Sequence, residues 1–328
     1  ELITVKTGVS EYTVGRDGGL IKECRYDKRI VIKEGNANGL YVIDQNGRVG
    51  KASAKNASMK VESSGPISAV IRIEGDYRTA EGEDLAHHIT RLKFTAGRPE
   101  VEATHTLILT RATNEVWFRD IGWEFEISSG VDAKALFSIG DDERKNFTDG
   151  KVVMTGAWRA ASAKENSTSI SIPQQSISIP IVKGKTYRII QKEGISLGLK
   201  PVSLPIWNRA TNPTTPWAPY LHGKNIFEIR QTGKQDTDKE GIIGDWFAVR
   251  DRDGGFMFSC RDAAAQHPKE FEVSGNRMNI KLFSCASGKE LDFRMGSLMK
   301  NWGMLPIEKV DSYDKVPRKL LEDYLNFI

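Results

Sequence analysis

The chain is dominated by short segments of alternating apolar and polar residues, separated by glycine, asparagine and aspartate. Near the N-terminus, apolar pairs such as Ile3 with Val5 and Ile30 with Ile32 show this two-residue period. A period of two places successive side chains on opposite faces of a strand, so that one face can be buried. The pattern therefore predicts an all-β fold of short antiparallel strands.

Turn signals between these segments predict hairpins. Asn46-Gly47 is one such signal, and residues 252–255 and 274–276 separate further pairs of strand-like segments. Glycine accepts positive φ angles at little cost, which suits tight turns. Residues 67–73, 87–94, 101–111 and 116–127 are predicted to be four consecutive antiparallel strands of one wide sheet.

The C-terminal residues 316–328 differ from the rest of the chain. After Pro317, apolar residues recur at helical spacing, namely Leu320, Leu321, Tyr324, Leu325 and Ile328. Proline is favoured in the first turn of a helix, so this segment is predicted to be helical. The expected organisation is a β-domain over residues 1–303, followed by a linker and helix over 304–328.

Composition narrows the classes of function. The chain has 328 residues, 39% hydrophobic and 27% charged, with a net charge of +4. The two signs are interleaved without long like-charged runs, which favours neither a nucleic-acid nor a membrane partner. Its three cysteines form neither metal-type spacing nor a disulfide framework, and Cys260 and Cys285 are expected in the core. No metal or cofactor is indicated.

Four motifs, in this order along the chain, carry a resemblance to a known family. They are HITRLKFTAGRPEVEATHT over residues 88–106, FRDIG over 118–122, Arg261-Asp262 leading to His267-Pro268-Lys269-Glu270, and LDFRMG over 291–296. Together they resemble the exo-rhamnogalacturonan lyase-like family.

The resemblance implies a large secreted polysaccharide lyase with a central β-sandwich and a C-terminal (α/α) barrel. The sandwich would be an antiparallel supersandwich of the galactose-mutarotase-like kind, and this chain would hold little or none of the barrel. The partners implied are an acidic polysaccharide or oligosaccharide and a missing helical barrel domain. A secreted or periplasmic location is expected, with an export signal removed before Glu1.

β-Elimination on a uronic acid needs a group that neutralises the carboxylate, a base and an acid. Arg261 ends a strand and matches the family's Arg-Asp motif; it binds the carboxylate or forms a structural ion pair. His267 and Lys269 are candidate acid and base, or part of a solvated loop. His87 has more polar neighbours than His88 and is a further catalytic candidate, although both histidines could be structural. His105 shares a face with apolar residues and is expected in the core.

Candidate substrate-binding residues lie in three places. An aperiodic loop over residues 204–224 supplies Trp207, Trp217, Tyr220 and His222, which resemble an aromatic sugar platform. Arg119 is predicted to share a strand face with Trp117 and Trp123, either to grip an acidic sugar or to serve packing. Arg294 belongs to the last family motif.

Two further functions stay open beside a lyase. The sandwich could be a non-catalytic glycan-binding or structural module of a larger enzyme. It could also be a sugar epimerase or mutarotase, which would need a histidine and a carboxylate in one pocket.

Overall fold

The computed structural model describes residues 1–18, 20–35, 39–130, 132–140, 175–193, 196–201, 217–222, 226–260, 263 and 268–292. Regular structure in these ranges consists of antiparallel strands and a 3₁₀ turn at Cys285–Ser287. The predicted all-β antiparallel class is confirmed. The predicted helix over residues 316–328 lies outside the described residues.

The strands follow one another along the chain at short intervals. They are β1 (Leu2–Lys6), β2 (Ser10–Gly15), β3 (Ile21–Tyr26), β4 (Arg29–Ile32), β5 (Gly39–Asp44), β6 (Val49–Ala52), β7 (Ser58–Ser64), β8 (Ser68–Arg78), β9 (Asp84–Thr95), β10 (Val101–Ile108) and β11 (Phe118–Glu126). The second half holds β12 (Lys134–Gly140), β13 (Gln175–Pro180), β14 (Thr186–Glu193), β15 (Ser196–Pro201), β16 (Trp217–His222), β17 (Ile226–Gln231), β18 (Thr237–Glu240), β19 (Ile242–Asp251), β20 (Gly254–Ser259), β21 (Glu270–Ser274) and β22 (Arg277–Ser284).

Twelve of these strands form one large sheet that joins the two halves of the chain. Its order is β10-β9-β8-β6-β5-β11-β22-β21-β14-β17-β18, and β7 pairs with β8. Strand β11 lies between β5 from the N-terminal region and β22 from near the end of the described chain. Smaller sheets have the orders β1-β2-β3-β4, β13-β12-β19-β20 and β15-β16.

The hydrophobic core lies between one face of the large sheet and the two four-stranded sheets. At one end the rings of Tyr12 and Phe94 pack 5.1 Å apart, which joins β2 to β9. At the other end the ring centroids of Trp123 and Phe258 are 6.3 Å apart, so that β20 covers β11. The opposite face of the large sheet carries the polar members of each alternating strand.

The three predicted hairpin turns are confirmed. They connect β5 to β6, β19 to β20 and β21 to β22. Gly47 and Gly275 have φ angles of 79° and 59°, the left-handed region that glycine adopts without a Cβ clash.

The predicted four-strand meander is wrong at its last member. Strands β8, β9 and β10 pair in sequence, but β11 pairs with β5 and β22 instead of β10. Strand β11 buries Ile121, Trp123 and Phe125 in the core, whereas most β10 positions are exposed. Burial therefore places β11 in the middle of the sheet and leaves β10 at its edge.

Candidate functional site

A cavity of about 290 Å³ opens on the face of the large sheet that points away from the core. We call it the sheet-face pocket. Its lining residues are Gly39, Tyr41, Ile43, Val49, Lys51, Asp120, Glu124, Glu272, Asn279 and Lys281.

Strand register explains why these residues meet. Gly122 lies opposite Tyr41 on one side and Lys281 on the other. In the next row, Asn279 lies between Glu124 and Glu272. Since directly opposed residues on neighbouring strands have their Cβ atoms about 5 Å apart, each row becomes a line of contacting polar groups.

Gly122 makes room for the aromatic ring of the pocket. A Cβ at this position would lie 2.5 Å from ring atoms of Tyr41, so a larger residue would displace the ring. The Asn279 side-chain amide donates from Nδ2 to the Tyr41 hydroxyl oxygen at 2.8 Å. Burial raises the pKa of Tyr41, so its hydroxyl keeps its proton at neutral pH.

Lys281 is held by two carboxylates at the floor of the pocket. Its Nζ lies 3.4 Å from Asp120 Oδ2 and 3.3 Å from Glu270 Oε2. Glu270 is fully buried and also binds the Arg188 guanidinium and the Ser284 hydroxyl. Asp120 accepts a hydrogen bond from the backbone N–H of Cys285 at 3.0 Å. This floor is a connected network in which the charges of two carboxylates and two cations balance.

The carboxyls of Glu124 and Glu272 have fewer partners than those of Asp120 and Glu270 in the floor. Arg277 Nη1 lies 3.2 Å from Glu124 Oε1, and Arg188 Nε lies 3.2 Å from Glu272 Oε2. Among the contacts of the described residues, the second oxygen of each carboxylate has no partner. Burial raises the pKa of both carboxyls, and the neighbouring Glu270 raises that of Glu272 further. Both groups can accept hydrogen bonds from a ligand, or donate one when protonated.

Lys269, a predicted base, does not line this pocket. It is buried, and its ammonium group donates to the backbone carbonyl of Leu282. The backbone N–H of Lys269 donates a hydrogen bond to the Gln191 side-chain oxygen at 3.1 Å. Burial lowers the pKa of the Lys269 amine. The expectation of a solvated loop is wrong at this residue.

The histidines of β9 and β10 form a separate group, nearer to the edge of the large sheet than the pocket is. His87 is partly exposed, and its Nδ1 lies 2.8 Å from Asp76 Oδ1. His88 is buried, and its Nδ1 lies 3.2 Å from the Thr90 hydroxyl. His105 is partly buried between Tyr77 and Thr90, with its ring nitrogens 3.1 Å and 2.9 Å from their hydroxyls. None of these histidines lines the sheet-face pocket.

Arg119 does not lie on the face of Trp123, which corrects the sequence prediction. A bulge between Phe118 and Asp120 shifts the register against β5 and changes which residues face the core. Trp123 is consequently buried, while Arg119 is exposed and lies 3.8 Å from Glu290. Trp117 reaches the same carboxylate through its indole N–H at 2.9 Å.

Four predicted site residues lie outside the described residues: Arg261, His267, Trp207 and Arg294. Trp217, Tyr220 and His222 are described in their backbone and form strand β16, paired with β15. The prediction of an aperiodic loop is therefore wrong for residues 217–222, whose antiparallel partner at 196–201 lies some twenty residues earlier in the chain and was not evident from local pattern.

Sequence reasoning missed Tyr41, Glu124, Glu272, Asn279 and Lys281. The available signal was the polar member of each alternating strand, such as Asn279 between the buried Met278 and Ile280. That signal gives the face of a residue but not its neighbours, because strand pairing across more than 150 residues decides them.

Other kinds of site receive no support in the described ranges. No group of three or more histidine, cysteine, aspartate or glutamate residues there is arranged to hold a metal ion. Cys24, Cys260 and Cys285 form no disulfide among the described residues; Cys24 is buried, whereas Cys260 and Cys285 are only partly buried. No helix in the described part is long and apolar enough to cross a membrane.

Comparisons with known proteins add a family likeness. Residues 1–135 match the family model described as "PcRGLX-like protein central beta sandwich domain". No curated protein matches the chain significantly. A solved structure, the galactose mutarotase related enzyme from Lactobacillus acidophilus, matches at 11% identity and a TM-score of 0.35, over 92% of this chain and 91% of that one. Similarity at that level does not bear on the fold, which the strand pairing itself establishes.

The family match covers Tyr41, Lys51, Asp120 and Glu124 of the sheet-face pocket. Residues 1–135 are thus similar to the central β-sandwich of the PcRGLX-like proteins, which supports the resemblance to the exo-rhamnogalacturonan lyase-like family for this part of the chain.

Proposed function

We propose that this is a carbohydrate-active protein that binds a glycan of the rhamnogalacturonan type at the sheet-face pocket. The single observation that carries the proposal is the composition of that pocket: an aromatic ring, an amide and two incompletely paired carboxyls around about 290 Å³ of space. This volume is near the lower end of the ~300–1,000 Å³ typical of ligand pockets, which suits one or two sugar rings. In this proposal the protein works outside the cytoplasm, where such polysaccharides are found.

The chemistry of these groups fits sugar hydroxyls. A hydroxyl both donates and accepts, so it can donate to Glu124 or Glu272 and accept from a neighbouring donor. Tyr41 offers a ring for apolar contact with the C–H face of a sugar and a hydroxyl held by Asn279. The rigid floor of Lys281, Asp120 and Glu270 would fix the depth of the bound ring.

β-Elimination on uronic-acid glycans is the second candidate, and Lys269 is the residue that favours it. Burial lowers the pKa of its amine, which is the change a lysine needs to act as a base near neutral pH. In the present arrangement the amine is turned towards the Leu282 carbonyl, so catalysis requires it to be exposed to substrate.

Glycan binding is tested by titrating the folded protein with rhamnogalacturonan oligosaccharides in a calorimeter. Tyr41→Phe is expected to weaken binding about fivefold, the value of roughly one hydrogen bond. The matched control is Tyr26→Phe, since Tyr26 is exposed on β3 and remote from the pocket. Equal affinity in wild type and Tyr41→Phe, or no binding of any glycan, would refute the proposal.

The lyase candidate is tested separately by the ultraviolet absorbance of unsaturated uronate. Incubation with rhamnogalacturonan and related uronic-acid glycans is expected to raise this absorbance, and Lys269→Met is expected to abolish the rise. Circular dichroism of the variant checks that its fold is retained. A folded wild-type protein that gives no rise with any of these glycans excludes this candidate without affecting the binding proposal.

A further inference from the structure

We infer that the sheet-face pocket selects a neutral sugar unit and disfavours a uronic acid. This inference rests on the proposed function, because it names which component of a mixed neutral and acidic glycan the pocket accepts. It differs from the acidic ligand that the sequence suggested.

The side chains that line the pocket carry an excess of negative charge. Three acidic residues, Asp120, Glu124 and Glu272, face two basic ones, Lys51 and Lys281. The acids therefore exceed the bases by one charge in the lining. Glu270, directly beneath Lys281, is a further buried carboxylate, and its charge is offset by the Arg188 guanidinium.

The cations of the pocket are already engaged by protein carboxylates. Lys281 lies between the carboxylates of Asp120 and Glu270. Burial raises the pKa of Glu124, whereas the positive charge of Lys51 lowers it. A uronate carboxylate would have to compete with these protein carboxylates for the same ammonium groups.

The arginines near the pocket are engaged in the same way. Arg277 pairs with Glu124, and Arg188 pairs with both Glu270 and Glu272. Planar guanidinium groups are the best neutralisers of a carboxylate, but each of these is already held by one. A second carboxylate brought into this partly buried space would repel Glu124 and Glu272.

A neutral ring meets none of this repulsion. The second oxygens of Glu124 and Glu272 are hydrogen-bond acceptors in the described part of the site, and hydroxyl groups are the donors that satisfy them. Glu124 and Glu272 lie on either side of Asn279, so a bound sugar can donate a hydroxyl hydrogen bond to each carboxyl. A bound neutral sugar would complete the hydrogen bonding of the pocket without adding charge.

The experiment compares glycans that differ only at the carboxyl group. Native rhamnogalacturonan oligosaccharides are compared with the same oligosaccharides after chemical reduction of galacturonate to galactose, by calorimetry at pH 7 and low salt. The reduced glycan is expected to bind about tenfold more tightly, because like charges are removed from the site. Equal affinity, or tighter binding of the native acidic form, would overturn the inference.

Two variants connect the preference to the pocket. Glu272→Gln and Glu124→Gln each remove one negative charge and are expected to reduce the preference for the reduced glycan about threefold or more. Glu102→Gln is the matched control, since Glu102 is an exposed residue of β10 paired with Lys93. An unchanged preference in both pocket variants would also overturn the inference.

The outcomes separate the inference from the proposed function. If both forms of the glycan bind and the acidic form binds at least as well, glycan binding stands and only the selectivity is refuted. If neither form binds to the folded wild-type protein, the proposed function itself is refuted.

Discussion

The large sheet buries ionisable groups in two regions that differ in how completely their hydrogen bonds are formed. One region is the histidine cluster of Tyr77, His88, Thr90 and His105. There the Thr90 hydroxyl lies between two imidazoles, and Tyr77 occupies the remaining nitrogen of His105. The other region is the sheet-face pocket, where Glu124 and Glu272 each keep an oxygen without a partner among the described contacts.

The difference indicates which region is built for a ligand. Buried polar groups without partners cost free energy, so a cluster in which His105 has both ring nitrogens bonded suits a structural role. A group of carboxyls that is only partly bonded and lies beside open space can accept hydrogen bonds from a ligand. The sequence favoured histidines as site residues, yet here Glu, Asn and Tyr side chains form the site that is better suited to bind a ligand.

The largest expected effect is the loss of the buried carboxylate under the pocket. Glu270→Ala leaves Arg188 and Lys281 without their shared partner and is expected to cost about 3–5 kcal/mol of unfolding free energy. Urea denaturation measures it. The exposed Glu102→Ala serves as the control and is expected to change stability by less than about 0.5 kcal/mol. A cost below about 1 kcal/mol for Glu270→Ala would show that the floor of the pocket is not a tight network.

The histidine cluster is expected to make stability fall in acid. Burial lowers the pKa of His88 to about 3 and that of His105 to about 4, whereas a histidine in an unfolded chain titrates near 6.5. Between these values the unfolded state binds more protons, so unfolding becomes easier as pH falls below about 6.5. Each histidine contributes at most about 2 kcal/mol to the loss by pH 5.

Denaturation measured from pH 7 to pH 5 tests this expectation. His105→Gln keeps an amide that can bond to Tyr77 and Thr90 but removes one titrating group, so about half of the pH dependence should disappear. A stability that is constant over this range in the wild-type protein would contradict neutral burial of the histidines.

Gly122→Ala is expected to disturb the pocket without touching the histidine cluster. The added methyl group would lie 2.5 Å from the Tyr41 ring, and such overpacking costs about 1–3 kcal/mol. Displacement of Tyr41 should also weaken glycan binding. Gly65→Ala is the control, since the nearest atom to its added methyl group is 3.8 Å away. Unchanged stability and affinity in Gly122→Ala would mean that the ring position is unimportant.

A pair of tyrosine variants gives the smallest effects and the sharpest comparison. Tyr77→Phe and Tyr41→Phe each remove one hydroxyl hydrogen bond, to His105 and Asn279 respectively, and each is expected to cost about 1 kcal/mol of stability. Only Tyr41→Phe should reduce glycan affinity. An affinity loss in Tyr77→Phe, measured by the same calorimetric titration, would show that the two regions are not functionally distinct.

Local pattern predicted much of the fold and little of the site. Hairpins at Asn46-Gly47 and at residues 252–255 were predictable because turn type and strand alternation are properties of neighbouring residues. The place of β11 was not predictable, since its partners β5 and β22 lie far away in sequence. The bulge beside Arg119 could not be predicted from the sequence either, and it places Arg119 on a different strand face from Trp123. The candidate residues Arg261, His267, Trp207 and Arg294 lie outside the described residues, so their roles stay predictions.

The sequence by itself determined the all-β class, the faces of the strands that have no bulge, and the family motifs, because these depend on residues close together in the chain. Only the tertiary structure decided which polar residues share a pocket. Tyr41 and Asn279 are 238 positions apart, and their contact exists because β11 buries its apolar face between β5 and β22. The pairing that satisfies the backbone of a central strand therefore also assembles the site.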